Sequence, residues 1–374
     1  MKANAVSKSN PWLYWFAVLT ALATLALIGI GGLVTSHEAG MSVPDWPTTY
    51  GYNMFLFPIN KWLGGIFYEH SHRLLASLVG LMTTILAVWL WLKDRRPWMP
   101  WLGVAAFLLV VAQGVLGGLR VTMHMDSLGI YHATIAQLFF ALTCAIALFT
   151  SRWWLNLSSV ATVYDRRQNS EIVATAADRR YKNLRWLVLA TTLLIFVQLI
   201  IAAAMRHQHA GLAISDFPLA YGRIWPDMSA AAVTRYSAQR LFNSENTITA
   251  FQIELQMAHR VVALAILICV GMAVFCSRRC ESAERAVTVR LSLFWLGLIL
   301  LQVGLGAATI WTNKAADVAT AHVLVGALAL AVGTLWCAIA FRESVAAIHD
   351  RRTEDRRSLN PATIATQPAM TGNK

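Results

Sequence analysis

Eight times along the chain an apolar stretch of roughly 20 residues recurs, the length an α-helix needs to cross a bilayer. The stretches lie near residues 12–35, 72–92, 98–119, 128–150, 184–205, 257–276, 290–311 and 318–341. They are continuously apolar, with no ten-residue alternation, so helices rather than barrel strands are predicted. Hydrophobic residues make up 57 % of the chain and charged residues 13 %. That charged share is about half the soluble norm. It excludes a disordered, coiled-coil or nucleic-acid-binding chain and predicts an all-α membrane protein.

The excess charge of +12 reads as a topology signal. With eight spans both termini share a side, and 22 of the 31 basic residues fall on it. Positive charge marks the cytoplasmic face, so both ends are placed inside and the long loops 36–71 and 206–256 outside. Residues 151–183 read as a polar cytoplasmic linker. Residues 342–374 read as a polar cytoplasmic tail, expected to be disordered beyond about Asp350. The apolar run Trp12–Val34 is too long for the core of a signal peptide, and Met1–Asn10 is short for a transit peptide, so a bacterial inner membrane is expected. Five cysteines form no CxxC motif, and no structural disulfide is expected.

The chain repeats itself. After the first span it reads Gly40-Met-Ser-Val-Pro-Asp45-Trp-Pro47-Thr-Thr-Tyr50-Gly51, and after the fifth Gly211-Leu-Ala-Ile-Ser-Asp216-Phe-Pro218-Leu-Ala-Tyr221-Gly222. His72-Arg73 opens span two and His259-Arg260 opens span six, 187 residues apart. Gln113-Gly-Val-Leu-Gly-Gly in span three answers Gln302-Val-Gly-Leu-Gly in span seven, and His132 and His322 open spans four and eight. Four spans have been doubled, which predicts two four-helix bundles related by a pseudo-two-fold axis along the membrane normal. The N-terminal bundle is assigned to 1–150 and the C-terminal bundle to 184–341.

Ionisable side chains inside spans are costly and are functional candidates. His72, His132, His259 and His322 each sit just inside the outer end of an even-numbered span, two per bundle. Zinc would ordinarily want three or four ligands, whereas two imidazoles flanking a flat ring suit haem iron. Glycines on span three (Gly114, Gly117, Gly118) and span seven (Gly304, Gly306) could make room for a porphyrin or simply let helices pack. The other six histidines (His37, His70, His124, His207, His209, His349) are expected in solvated or interfacial roles.

One ionisable residue beside the histidines has no ionisable counterpart in the other half. Glu69 precedes His72 by one helical turn, and Gln256 holds the matching place before His259. A carboxylate there can hydrogen-bond an imidazole or carry protons, so one site is assigned to chemistry and the other to electron transfer. Arg73 and Arg260 are candidates for haem propionate binding, or else snorkel to the interface. The Asp-aromatic-Pro turns at Asp45-Trp46-Pro47 and Asp216-Phe217-Pro218 read as caps folded over each bundle.

With Gly31-Gly32, Glu69-x-x-His72-Arg73, His132, His259-Arg260 and His322 in a duplicated fold, the chain resembles the haem A synthases across about 12–341. The resemblance implies that His259 and His322 bind a haem b cofactor, and that His72 and His132 flank haem O while its C8 methyl is oxidised to the formyl of haem A. It implies successive hydroxylations with water-derived oxygen, Glu69 important for turnover, and a place in cytochrome oxidase biogenesis. Candidate partners are the lipid bilayer, haem O synthase and an electron acceptor, with a homo-oligomer left open and no nucleic acid. The first outer loop lacks the cysteine pair that some members carry, so no redox role for such a pair is carried over. Two rivals stay open on the residues alone: a b-type membrane cytochrome relaying electrons between a quinol and a partner, and a transporter of parallel repeats.

Overall fold

The structure is a computed structural model that describes residues 10–156, 174–242, 246–279 and 285–358. The expectations for residues 157–173 of the linker, for Cys280 and for the tail beyond Ser358 lie outside the described residues. Nine long helices carry the described fold: α1 (Pro11–Ser36), α2 (Gly65–Lys93), α3 (Met99–Thr122), α4 (Leu128–Thr150), α5 (Ala174–His207), α6 (Ala230–Phe242), α7 (Ala250–Arg278), α8 (Arg285–Trp311) and α9 (Ala316–Ser358). All except α6 contain a stretch long and apolar enough to span a bilayer. In lipid a backbone has no water to bond, so helices that pair every N–H internally are what such sequences form. Among the described residues there is no strand, only isolated bridges at Thr49–Tyr52 and Ala220–Arg223.

Local chemistry sets the ends. Asn10 caps α1 by accepting N–H bonds from Trp12 and Leu13, with Pro11 at the first helical position. Thr249 and Gln252 form a reciprocal capping box at the start of α7. Several boundaries differ from the sequence reading, and α5, expected from 184, begins at Ala174, inside the stretch read as linker. The helices α2 and α7 begin about two turns earlier than expected, because the polar runs ahead of the histidines are helical and send their side chains into the outer loops. The helix α9 runs on to Ser358, although its apolar span ends at Arg342. Its Ala-, Glu- and Arg-rich continuation has good helix propensity outside the bilayer as well.

Each half closes on itself in the same order. Neighbours are α1–α2, α2–α3, α3–α4 and α4–α1 in the first half, and α5–α7, α7–α8, α8–α9 and α9–α5 in the second. The halves meet through α1–α9, α4–α5 and α4–α9. Under the repeat the first two pairs exchange and the third maps onto itself, the pattern a two-fold relation produces.

The buried apolar residues concentrate away from the long loops. On α2 they are Val79, Met82, Leu86 and Leu90, inward of His72. On α7 Ile266, Val270, Ala273 and Val274 lie inward of His259, while Ile253 and Met257 lie outward of it and pack with Ala213, Ile214, Ala220 and Ile248 of the outer loop. In the second half Trp295 and Trp336 meet edge to face, 5.6 Å between ring centres, and the Trp295 indole donates to the Ala329 carbonyl at 2.8 Å. Lipid is as apolar as these side chains, so contact packing rather than escape from water holds the bundles. The outer third of each bundle is left for the histidines.

Candidate functional site

On each half two histidines face one another. The ring centres of His72 and His132 lie 6.4 Å apart with their planes at 70°, and those of His259 and His322 lie 6.4 Å apart at 64°. Two imidazoles on opposite sides of one metal ion, each nitrogen about 2.0–2.1 Å from the metal and about 1.1 Å from its own ring centre, would have centres about 6.3 Å apart. Both pairs match that separation. In all four rings Nδ1 is buried with no hydrogen-bond partner. A core histidine normally finds partners for its ring nitrogens, so four orphans at equivalent places read as ligands rather than as packing.

Glycines admit these rings. A Cβ on Gly31 would lie 3.0 Å from the His72 ring, on Gly117 3.5 Å from His132, and on Gly306 3.3 Å from His322. Of the glycines singled out in the sequence, Gly117 and Gly306 thus abut ligand candidates, and Gly118 lies under the Trp46 ring, 2.6 Å from its Cδ2 to an added Cβ. Gly114 and Gly304 face open space. No group of three or more His, Cys, Asp or Glu that could hold a metal ion occurs among the described residues. Two facing imidazoles without a third ligand fit an axially ligated haem iron and fit a tetrahedral zinc site poorly.

Above each pair the outer loop folds into the same turn. Asp45 accepts N–H bonds from Tyr50 at 2.7 Å and Gly51 at 2.8 Å and a hydroxyl bond from Thr48. Asp216 likewise accepts from Tyr221 and Gly222. Tyr50 and Tyr221 adopt left-handed backbone (φ 50° and 53°), which a non-glycine residue holds only when surrounding bonds fix it. Their hydroxyls donate to the Ser42 and Ala213 carbonyls. Burial pushes the Asp45 carboxyl up, but the Gly51, Thr48 and Tyr50 bonds outweigh it and hold it below the usual aspartate range.

The arginines that follow the histidines clamp this turn. Arg73 donates to the carbonyls of Asp45, Thr48 and Val43 and to Glu69 at 2.8 Å, and Arg260 donates to those of Asp216 and Leu219. Offered by the sequence either for haem propionates or for the interface, both arginines turn terminal nitrogens to loop backbone. Glu69 is buried, with Oε1 on Arg73 and Oε2 receiving the Val43 N–H at 2.9 Å. Gln256 does the corresponding work, accepting the Ile214 N–H at 2.6 Å and donating to the Gly211 and Ile214 carbonyls.

Two histidines expected to be interfacial are not. His70 is fully buried, against the Thr49 hydroxyl and between Phe57 and Trp62. The His207 side chain, 7 % exposed, packs directly on the backbone of Gly129 in α4. Phe57 and Trp62 lie in the first outer loop, where no spacing rule ties them to His70, and His207 lies at the end of a span, where single histidines are usually solvated. His37, His124 and His209 are exposed, as expected.

Comparison with known proteins agrees with this architecture. The chain is 27 % identical over 312 residues to the heme A synthase of Halalkalibacterium halodurans, covering 83 % of this chain and 91 % of that protein. It is 26 % identical to that of Shouchella clausii, covering 80 % and 86 %, and 26 % identical to that of Shewanella oneidensis, covering 83 % and 91 %. The model of the COX15-CtaA family, described as cytochrome oxidase assembly protein, matches residues 14–334, from α1 into α9. An integral membrane protein of eight apolar helices with this match belongs to the COX15-CtaA family of cytochrome oxidase assembly proteins.

Proposed function

We propose that this protein is a membrane oxidoreductase that converts haem O to haem A by oxidising the C8 methyl to a formyl group with oxygen from water, the four electrons and four protons so released passing to an external electron acceptor and to solvent. The observation that carries the reading is the doubled pair of facing histidines, each with ring centres 6.4 Å apart. The relatives named heme A synthase support it over most of the chain.

In this reading His72 and His132 hold the substrate haem from its two faces, and His259 and His322 hold a haem b. A haem b there supplies one-electron redox chemistry that no side chain can. The protein's own contribution is to bind, orient and enclose. Gly31 sets how closely the His72 ring can approach, because a Cβ there would lie 3.0 Å from it and move the imidazole, while Gly117 leaves room beside His132, where a Cβ would reach ordinary contact at 3.5 Å. The Asp45 turn and Trp46 close over the first bundle and limit water at the reacting edge. Glu69 acts as a positioning residue: it fixes Arg73 and the Val43 N–H, and through them the lid over His72. Paired with Arg73, its carboxylate leaves the surroundings of His72 one positive charge lower than those of His259, where Gln256 stands in its place, and this favours positive charge that develops as the methyl is oxidised. Gln256 gives the second half the same mechanical anchor without that charge, which suits a bundle that only passes electrons.

The two bundles are proposed to relate by a pseudo-two-fold axis along the membrane normal, with both termini cytoplasmic, the haem sites toward the outer face and the bacterial cell membrane as location. Bundles 1–150 and 184–341 are the substrate and electron-transfer units. The test is expression of the full chain with a source of haem O, followed by pigment extraction. Haem A should appear. Tightly held haem b in both bundles, with added haem O never converted, would favour an electron-relaying cytochrome instead.

A further inference from the structure

A charged cluster at the junction of the halves lies one turn above the first histidine pair, and the second pair has no counterpart. Arg120, near the end of α3, contacts Asp126 at 2.7 Å, and its Nε is buried with no partner. Arg206, near the end of α5, crosses to the other half and donates to the Gly32 carbonyl and to the Ser36 hydroxyl at 2.8 Å. Its Nε is also buried without a partner. His207 stands beside them, its Nδ1 4.0 Å from Asp126.

Backbone positions tie all three side chains to the first site. Arg120 follows Gly117 by one turn on the same helix face, and Gly117 abuts His132. Gly129, on which the His207 ring sits, precedes His132 by one turn. The carbonyl that holds Arg206 belongs to Gly32, next to Gly31, which abuts His72. By the repeat offsets of 189, 171 and 190 the matching places around the second pair are Thr309 for Arg120, Thr35 and Ser36 of the first half for Arg206 and His207, and Ala319 for Gly129. None is cationic.

The charges do not balance. Of the two guanidiniums only Arg120 meets a carboxylate, that of Asp126, whose side chain is 53 % exposed while that of Arg120 is 17 % exposed; Arg206 bonds only the Gly32 carbonyl and the Ser36 hydroxyl. An unmatched cation held among helix ends is costly unless an anion completes it. Both arginines keep a buried donor in reserve, and guanidinium forks suit carboxylates. A flat group held between His72 and His132 with acidic substituents at its outer edge would present carboxylates to this place.

We propose that Arg120, Arg206 and His207 form the carboxylate-binding end of the first site and receive the propionates of the haem substrate from both halves of the chain. The proposal rests on the reading that the substrate lies between His72 and His132. It assigns the first half its own orientation device: the porphyrin is turned so that its propionate edge meets this cluster. It also makes the substrate site depend on the second half, which supplies Arg206 and His207.

The test uses the purified full chain in detergent, titrated optically with haem O and with haem O dimethyl ester, in which the carboxylates are masked. Wild-type protein should bind the acid at least about tenfold more tightly than the ester, the size of one charge-assisted hydrogen bond. Arg120→Gln and Arg206→Gln should each weaken the acid by about tenfold and leave the ester within about twofold. The second bundle's haem content should be unchanged, as a check on folding. Equal affinity for acid and ester in the wild type, or equal losses for both probes in the arginine variants, overturns the proposal. Should the variants fail to insert, the wild-type comparison decides by itself. His72→Ala distinguishes the two levels: it should abolish binding of both probes, and undiminished binding would remove the substrate reading and this proposal together. Equal acid and ester affinity that still requires His72 would remove the proposal alone.

Discussion

Glu69 and Gln256 each receive a backbone N–H from the same place in their outer loops, Val43 at 2.9 Å and Ile214 at 2.6 Å, but only Glu69 also carries an arginine, with Arg73 at 2.8 Å. The two halves therefore share a mechanical anchor and differ in charge. Glu69→Gln keeps the acceptor for Val43 and removes the ion pair. Haem b should stay bound, and haem A formation should fall by at least about tenfold, a barrier change of about 1.4 kcal/mol. Wild-type turnover in that variant would take Glu69 out of the reaction.

Removing the arginines should cost unequal amounts. Arg73→Leu strands the buried Glu69 carboxylate and frees three loop carbonyls. The loss of stability should be about 3–5 kcal/mol. Arg260→Leu frees two carbonyls but strands no charge, and about 1–3 kcal/mol is expected. Thermal melting of the two variants side by side checks the ranking, and equal losses would contradict the charge argument.

A single methyl group should separate site from scaffold. In Gly31→Ala the new Cβ lies 3.0 Å from the His72 ring, so the imidazole must shift by a few tenths of an ångström. Affinity for added haem O should drop by about tenfold, as expected when a ligand is displaced from its working geometry. Gly114→Ala meets nothing within 4 Å and should bind normally. Titration of both variants tests whether close approach to His72 is what Gly31 provides.

The eight spans and the duplication were legible in the sequence because lipid imposes length and apolarity, and because offsets of 187 to 190 persist through three successive helices. The pairing of His72 with His132 and of His259 with His322 followed from the same periodicity. What the sequence did not reveal lies where side chains meet backbone. Arg73 and Arg260 grip loop carbonyls, which carry no residue identity to be read. His70 is buried only because Phe57 and Trp62 fold back over it. Arg206 and His207 act across the boundary between halves, 174 residues from Gly32 in the case of Arg206, beyond the reach of any local spacing rule.

The outer turn should respond to acid. Asp45 has its carboxyl held below its ordinary value of 3.8 by the Gly51, Thr48 and Tyr50 bonds acting against burial. A depressed native value means that the stabilisation is fully present above that ordinary value and is lost as pH falls through the lower native one. A spin label placed at Tyr52 should stay immobile from pH 7 to about pH 4 and loosen below it. Asp45→Asn should be loose already at pH 7. A label that loosens between pH 5 and 7 in the wild type would point to a different group.

The most direct test of two histidine pairs with separate pigments is the haem extracted from each purified single variant after expression with haem O. His259→Ala and His322→Ala should lose haem b, while His72→Ala and His132→Ala should retain haem b and yield no haem A. Loss of the same pigment from all four variants, or unchanged pigment in all four, would contradict the account.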